Sequence, residues 1–450
     1  MNKNRTDRGK SMKRIVSLCA VLLLVVLTAA SASALDYGCN IETVGTGIYM
    51  EELNTGIVVY EKGADEKMYP ASTTKIMTYI IVAENISDFD NTKVEITEEA
   101  LANLDPESSV MGLKDHIGES FSVKDLLYGL MLPSGNDAAL VLANFVGEGN
   151  VEAFVKQMNN KAAELGCVNT HFVNPHGLID PDHYSTPRDL ATITKYALNV
   201  KDFAEISNTV KYTPEGFKDP IVTTNYMIDQ NGHNGDYYYP YAKGIKTGFA
   251  DEAGRCLVTT AENDGYRYLC VDLGAAYSYE EDVNYAMKDS AALYDWAFGN
   301  ISKQVVFSTS EVVANIDVEN TKDNTTLDLV PREEIRALLP AGFKPELVTT
   351  KTDIPESVTA PVNQGSAIGN VDVYYNGEKV ATAELCASAS IDGATKSEQQ
   401  AKSDTENTIK LVIIVVFAVA AVVIIVIVAF VVSKARRKKR EVQRHRRRYY

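Results

Sequence analysis

The segment "PASTTKIMTYII", from Pro70 to Ile81, places one serine, Ser72, and one lysine, Lys75, at the start of an apolar stretch. Apolar residues follow Lys75 on most sides of the predicted helix, so this lysine is expected to be largely buried. Burial disfavours the charged ammonium, and side chains three residues apart on a helix lie about 5 to 6 Å from each other. A neutral Lys75 would therefore be placed to take the proton of Ser72, beside the free N–H groups of a helix N-terminus.

The motif S-x-x-K is too short to establish this chemistry by itself, because Ser72 could cap a buried helix while Lys75 extends to solvent. A second motif lies in "MLPSGNDAALVLANF", where Ser134 and Asn136 occupy a turn between two apolar helices. A third lies in "AKGIKTGFADEAGRC", which places K-T-G, residues 246–248, on a strand. The order S-x-x-K, S-x-N, K-T-G is the one found in penicillin-binding proteins and β-lactamases.

With these motifs the chain resembles the low-molecular-weight penicillin-binding proteins that are serine-type D-alanyl-D-alanine carboxypeptidases. The likeness extends from about residue 36 to 390 and includes "PASTTKIMT", "SGNDAA", "NPHGLIDPDHYSTPRDLA", "GIKTGFADEAG" and "APVNQGSAIGNVDVYYNG". It implies an α/β fold of the β-lactamase/transpeptidase type, a helical cluster on an antiparallel sheet, followed by a small all-β domain. It implies no cofactor.

The resemblance also implies catalytic roles. Ser72 would attack the carbonyl of the penultimate D-alanine of a peptidoglycan stem peptide and form an acyl-enzyme, with Lys75 as its general base. Ser134 would relay a proton toward the departing D-alanine. A second cation near Lys75 would help to keep it neutral. β-Lactam antibiotics would acylate the same serine.

Substrate-binding roles follow from the same resemblance. Asn136 would hold the amide of the acyl donor, and Lys246 and Thr247 would bind the terminal carboxylate. The backbone N–H groups of the nucleophile and of Phe249 would form the oxyanion hole, where one lost donor costs about 3 kcal/mol. Gly248, having no side chain, would allow the substrate close to the strand.

Two further positions bear on the site. Some relatives carry an arginine where this chain has Thr224, so the cation that completes the carboxylate site is left open. The stretch "STPRDL" predicts an ordinary helix start rather than a site. Thr186 would be its N-cap, Pro187 would lie in its first turn and Asp189 near its third position.

A group of histidines and carboxylates raises the alternative of a zinc site, made by His171, His176, His183, Asp180 and Asp182. No H-E-x-x-H motif accompanies them, and they lie in a loop that the serine family also has. We therefore predict no metal site.

The two ends of the chain predict export and anchoring. Residues 1–34 have a basic start, an apolar run and a small-residue cleavage site after Ala34, as in a secretory signal. Residues 411–432 carry no charge over 22 positions, enough for a transmembrane helix. Residues 433–450 contain ten Lys or Arg and one Glu, which predicts a cytoplasmic tail and an extracytoplasmic catalytic domain at the cell membrane.

Between these ends we predict a catalytic domain over residues 35–298, an all-β domain over 299–390 and a polar linker over 391–410. Periodicity predicts helices at Val123 to Met131, Asp137 to Val146 and Val151 to Leu165. Strands are predicted near both ends of the catalytic domain and are expected to share one sheet.

The charge and the cysteines limit the remaining possibilities. The net charge of −16 becomes −30 for residues 35–432, from 28 Lys and Arg against 58 Asp and Glu, so nucleic acid is not an expected partner. Five cysteines follow the predicted signal, an odd number that does not indicate a disulfide framework. Cys256 and Cys270 flank an Asp264-Gly265 turn, and the sequence leaves open whether they are bonded.

Two other functions share these motifs. A β-lactamase would need a water activated by a glutamate, and no E-x-x-L-N follows Asn136. A penicillin sensor would need a signalling domain, for which the 18-residue Arg-rich tail is too short.

Overall fold

The computed structural model describes residues 37–277, 282–323 and 325–446 of the chain. The predicted signal peptide, residues 1–34, lies outside them. The described residues divide into two compact units. The first contains the residues up to Gln304 with Ala337–Leu347 and Tyr375–Val380, and the second contains Val305–Arg336, Val348–Tyr374 and the residues from Ala381 onward.

An antiparallel sheet and a cluster of helices make up the first unit. In chain order its strands are β1 (Gly47–Glu52), β2 (Ile57–Lys62), β3 (Lys93–Glu95), β4 (Ser120–Ser122), β5 (Lys211–Tyr212), β6 (Ile221–Val222), β7 (Ala242–Ala250), β8 (Gly254–Asn263) and β9 (Tyr266–Ala275). Its helices are α1 (Lys75–Asn85), α2 (Val123–Met131), α3 (Asn136–Val146), α4 (Val151–Glu164), α5 (Pro187–Ala197), α6 (Phe203–Ser207) and α7 (Tyr285–Asn300).

The main sheet has the strand order β2-β1-β9-β8-β7, and all neighbouring strands are antiparallel. Tyr49 of β1 lies opposite Val271 of β9, so strands distant in sequence share one sheet, as predicted. The β8–β9 hairpin turns at Asp264 and Gly265, whose φ angles of +49° and +80° suit a tight two-residue turn. Strand β7 forms one edge of the sheet and presents its K-T-G residues there.

The hydrophobic core lies between the helices and one face of this sheet. Ile76 of α1, Val258 of β8 and Val271 of β9 are fully buried in it. Burying each such side chain contributes about 1.5 to 3 kcal/mol to folding. The other face of the sheet packs against α7, where the Tyr294 hydroxyl donates to the carbonyl of Thr259 at 2.7 Å.

Capping residues determine where two of the helices begin. The Ser122 hydroxyl accepts from the Asp125 nitrogen and the Asp125 carboxylate accepts from the Ser122 nitrogen, so α2 begins with a capping box. Thr186 caps α5 by accepting from the Asp189 nitrogen at 3.1 Å, with Pro187 in the first turn. The prediction that "STPRDL" is a helix start is confirmed.

Cys256 and Cys270 are not bonded to each other. Cys256 lies opposite Gly248 of β7, whereas Cys270 lies opposite Thr259 of β8. Cys256 belongs to the core between helices and sheet, and Cys270 accepts from the Ser290 hydroxyl of α7 at 3.8 Å. The two side chains therefore lie on opposite faces of the sheet. Both thiols are free and buried.

Between α7 and the C-terminal helix the chain is mainly β-structure, which confirms the predicted all-β domain. The strands are β10 (Ile301–Phe307), β11 (Ala314–Glu319), β12 (Thr325–Pro331), β13 (Ile335–Pro340), β14 (Val348–Asp353), β15 (Ser357–Thr359), β16 (Ala367–Tyr375) and β17 (Glu378–Ala387). One sheet has the order β14-β16-β17-β12-β11-β15, and β10 pairs with β13. Ile316 and Val318 of β11 and Leu327 and Leu329 of β12 are buried, and the alternation gives the larger sheet one apolar face.

The described chain ends with one helix, α8 (Lys396–Arg446). The predicted polar linker, residues 391–410, is therefore helical from Lys396 onward. Thr395 and Glu398 explain this start, because the Thr395 hydroxyl accepts from the Glu398 nitrogen and the Glu398 carboxylate accepts from the Thr395 nitrogen. Within the described residues, this is the one continuous helix long and apolar enough to cross a membrane.

Candidate active site

A 3₁₀ turn, Ala71–Thr74, carries the serine of the first motif. The α-helix begins only at Lys75, so the helix predicted within this segment is preceded by a turn that is tighter than an α-helix. In a 3₁₀ turn the side chains of residues i and i+3 are eclipsed, which brings the Ser72 hydroxyl directly over the Lys75 amine. Ala71 has φ of +46°, an unfavourable conformation for an L-residue, just before the serine.

The Lys75 amine has three polar contacts and no exposure to solvent. Its Nζ lies 2.8 Å from Ser72 Oγ, 2.7 Å from Asn136 Oδ1 and 2.8 Å from the carbonyl oxygen of His176. The two carbonyl-type oxygens can only accept hydrogen bonds, whereas the serine hydroxyl can also donate. A neutral amine has two hydrogens and one lone pair, so its lone pair must accept from Ser72.

Burial and a second lysine lower the pKa of Lys75. Desolvation is the larger cause, the charge of Lys246 adds to it, and the carboxylate of Asp137 opposes both. Burial also lowers the pKa of Lys246 to about 7. The site therefore favours the neutral form of Lys75.

The second motif lies where α2 gives way to α3. Ser134 is almost completely buried and has φ of +64° in this turn, and Asn136 is the first residue of α3. The Asn136 nitrogen donates to the carbonyl of Ser109 at 2.8 Å. The adjacent Asp137 accepts hydrogen bonds of 2.9 Å from the nitrogens of Met111, Gly112 and Leu113. Asp137 thus fixes a neighbouring loop to the start of the helix that positions Asn136.

Strand β7 packs its third-motif residues directly against the serine turn. A Cβ at Gly248 would lie 3.0 Å from the Ser72 nitrogen and 3.0 Å from the Ala71 Cβ, closer than ordinary contacts. The close approach of the Ser72 turn therefore requires glycine at position 248, in addition to any requirement from the substrate. Lys246, on the same face of the strand as Gly248, is buried and donates to the carbonyl of Thr247 at 3.0 Å.

Thr247 and Phe249 lie on the opposite face of β7 from Lys246. The Thr247 hydroxyl lies 2.5 Å from that of Thr224. Phe249 is 37 % exposed, and its backbone follows Gly248 beside the serine turn.

Residues 42–277 match the protein family described as D-alanyl-D-alanine carboxypeptidase. The chain belongs to this family. Residues 302–393 match a second description, the C-terminal domain of penicillin-binding protein 5. The family and the enzyme class predicted from the three motifs are confirmed.

Individual carboxypeptidases of this family align with most of the chain. The D-alanyl-D-alanine carboxypeptidase DacF of Bacillus subtilis is 29% identical over 384 residues, covering 84% of this chain and 94% of that protein. DacA of Haemophilus influenzae is 30% identical over 385 residues, covering 83% and 93%. Among solved structures, penicillin-binding protein 5 of Haemophilus influenzae superposes with a TM-score of 0.59 at 26% identity, covering 79% of this chain and 99% of that one.

The loop at residues 175–177 contributes to the site, although the sequence motifs did not assign it a role. The carbonyl of His176 accepts from Lys75, and the carbonyl of Pro175 accepts from the Thr78 hydroxyl of α1 at 2.5 Å. A Cβ at Gly177 would lie 1.9 Å from the Ala71 carbonyl oxygen, so only glycine fits there. The contribution to the site is made by backbone atoms, which no side-chain pattern signals. The segment "NPHGL" was recognisable only by resemblance.

The histidines of this region have hydrogen-bonding partners within the protein. His183 Nδ1 accepts from the Val173 nitrogen at 3.1 Å, so its Nε2 carries the hydrogen donated to the Thr74 hydroxyl at 2.8 Å. His176 Nδ1 accepts from the Leu178 nitrogen at 3.2 Å. Burial lowers the pKa of His176 to about 3 and that of His183 to about 4, so both rings are neutral near pH 7. They fix the loop that supplies the His176 carbonyl.

Proposed function

We propose that this chain removes the terminal D-alanine of peptidoglycan stem peptides through an acyl-enzyme on Ser72. The observation that carries the proposal is the contact of Lys75 Nζ with Ser72 Oγ at 2.8 Å. The other two contacts of this amine are with oxygens that only accept, so Ser72 is the one group that can donate to its lone pair. As Ser72 attacks the carbonyl carbon, its proton passes to Lys75. The tetrahedral intermediate then loses D-alanine and leaves the acyl group on the serine.

The oxyanion of that intermediate needs donors close to the nucleophile. The backbone nitrogens of Ser72 and Phe249 are the candidates, because Gly248 holds the serine turn against β7 and Phe249 comes next on the strand. Ser134, buried beside Asn136, is the candidate for passing the proton from Lys75 to the leaving amine. The side-chain oxygen of Asn136 accepts a hydrogen bond from Lys75, which leaves the side-chain nitrogen of Asn136 to donate to the acyl donor.

The terminal carboxylate of the substrate distinguishes a carboxypeptidase substrate from an internal peptide. Thr247 on β7 is the proposed hydroxyl donor to it, and Lys246 supplies positive charge from the other face of the strand. A β-lactam carries a carboxylate at the corresponding place, so it should bind in the same orientation and acylate Ser72.

The C-terminal helix supports a place at the cell membrane. The apolar side chains of residues 411–432 are exposed along α8, for example Phe417 at 72 %, and a hydrocarbon phase would cover them. The basic residues that follow favour a cytoplasmic tail, with the catalytic domain outside. Export by residues 1–34 completes this proposed topology.

Two assays test the function. The full chain in detergent should release D-alanine from a peptide that ends in D-Ala-D-Ala, and it should form a covalent adduct with penicillin. A long-lived adduct distinguishes a carboxypeptidase from a β-lactamase, which would release the hydrolysed drug rapidly. Failure to release D-alanine, together with rapid penicillin hydrolysis, would contradict the proposal.

A further inference from the structure

An arginine that none of the three motifs includes lies next to the K-T-G strand. Arg255 is the second residue of β8 and pairs directly with Phe249 of β7. Directly opposed residues in antiparallel strands share a face, and so do residues two apart on one strand. Arg255, Phe249 and Thr247 therefore project from the same face of the sheet, with Phe249 and Thr247 on the edge strand β7 and Arg255 on its neighbour β8.

The Arg255 guanidinium is held by two aromatic rings. Its central carbon lies 4.4 Å from the centre of the Phe249 ring and 4.3 Å from the centre of the Tyr277 ring. The Nε is buried and has no hydrogen-bond partner among the residues that the structure describes. Arg255 also makes no ion pair within those residues. Arg255 is only partly buried as a residue, but a buried donor atom without an acceptor is unusual in a folded protein.

Two hydroxyls near Arg255 indicate what kind of ligand would accept its hydrogen bonds. The hydroxyls of Thr224 and Thr247 lie 2.5 Å apart, so one donates to the other and the second hydroxyl retains a hydrogen for a ligand. Thr247 is the diagonal neighbour of Arg255 across the strand pair, a separation of roughly 7 to 8 Å that a long side chain spans. A planar guanidinium and a hydroxyl donor on one face suit a carboxylate.

We propose that Arg255 is the cation that completes the binding site for the terminal carboxylate of the acyl donor. This inference rests on the proposed function and names a specificity-determining residue for it. Position 224 carries an uncharged threonine, and Arg255 supplies the charge from strand β8.

A purely structural role is the alternative explanation. In that case Arg255 would only hold Phe249 and Tyr277 together, and its loss would disturb the Phe249 backbone. Such damage would slow acylation by every acyl donor. Loss of charge recognition would slow only the donors that carry a carboxylate.

The test compares benzylpenicillin with its methyl ester, which lacks the carboxylate charge, on the full chain in detergent. Second-order acylation rates are measured by intact-protein mass spectrometry for the unaltered chain, Arg255→Met and Arg255→Lys. Methionine retains much of the packing between the rings, and lysine retains the charge as well. Arg267→Met on β9, an exposed arginine 3.8 Å from Glu262, is the matched control.

The ratio of acid to ester rates should fall about ten-fold in Arg255→Met, be intermediate in Arg255→Lys and stay unchanged in Arg267→Met. An equal slowing of acid and ester in Arg255→Met, or an unchanged ratio, would overturn the inference while leaving the proposed function intact. If neither compound acylates the unaltered chain, the proposed function fails, and this inference fails with it.

Discussion

Lys75 and Lys246 are both fully buried, and the charge of Lys246 lowers the pKa of Lys75 beyond the effect of burial. Two ammonium groups in one buried site disfavour each other's charge. The positive charge of Lys246 therefore favours the neutral form of Lys75.

Replacing Lys246 should change the pH profile of acylation. In the proposed mechanism acylation needs neutral Lys75, so its rate should fall as the pH falls through the pKa of that residue. Lys246→Met removes a charge that lowers this pKa, so the pKa rises and the acid limb moves to higher pH. The shift should be measured with the penicillin methyl ester, and Lys243→Met, an exposed lysine on the same strand, should leave the limb in place. A limb that stays fixed or moves to lower pH in Lys246→Met contradicts this coupling.

Asp137→Asn should have the opposite electrostatic effect. Asp137 raises the pKa of Lys75, so its neutralisation lowers that pKa and moves the acid limb to lower pH. The change also weakens three hydrogen bonds to residues 111–113, which should lower the free energy of unfolding by about 3 kcal/mol. Thermal unfolding and the pH profile of the folded variant measure the two effects. Asp90→Asn, on the surface, is the control for both measurements. If Asp137→Asn and Asp90→Asn had the same unfolding temperature and the same acid limb, the roles assigned to Asp137 would be refuted.

A single methyl group at position 248 should disturb the nucleophile. Gly248→Ala forces the Ser72 turn away from β7, because the new Cβ meets the Ser72 nitrogen at 3.0 Å. We expect acylation to slow by about 100-fold, the loss typical of a misplaced oxyanion donor. Gly299→Ala, at a helix position with no atom within 4 Å, should not slow it. Equal rates for the two variants would show that the contact between turn and strand is unimportant.

Lys75→Arg tests whether the neutral form is the active one. Arginine keeps the positive charge and hydrogen-bond donors but cannot be deprotonated, so it cannot accept the serine proton. Acylation should fall by about 10² to 10⁴-fold, as it should in Lys75→Ala. Lys93→Arg, at an exposed ion pair with Glu215, should keep normal rates. Substantial acylation by Lys75→Arg would mean that charge rather than basicity is required.

The sequence predicted those parts of the fold that local patterns determine. Val123 to Met131 matches α2, and the Asp264-Gly265 turn forms the predicted hairpin. Apolar periodicity and turn chemistry act over a few residues, so they can be read directly from the chain. The 3₁₀ turn at Ala71–Thr74 was not predicted, because it depends on packing against β7 and on the Gly177 loop.

Within the site, the residues of the three motifs could be predicted from the sequence. The residues that position them through hydrogen bonds could not. Asp137 acts through a loop 24 to 26 residues earlier in the chain, and His176 acts through its carbonyl. Arg255 became visible only through the strand register that places it opposite Phe249. Long-range pairing of this kind leaves no periodic trace in one sequence.

The central claim is that Ser72 is the nucleophile activated by Lys75. It is tested most directly by mass spectrometry of peptides from the penicillin-treated full chain, for the unaltered protein and Ser72→Ala. The unaltered protein should carry one penicilloyl group on Ser72, and Ser72→Ala should carry none. An adduct on another residue, or undiminished labelling of Ser72→Ala, would contradict the claim.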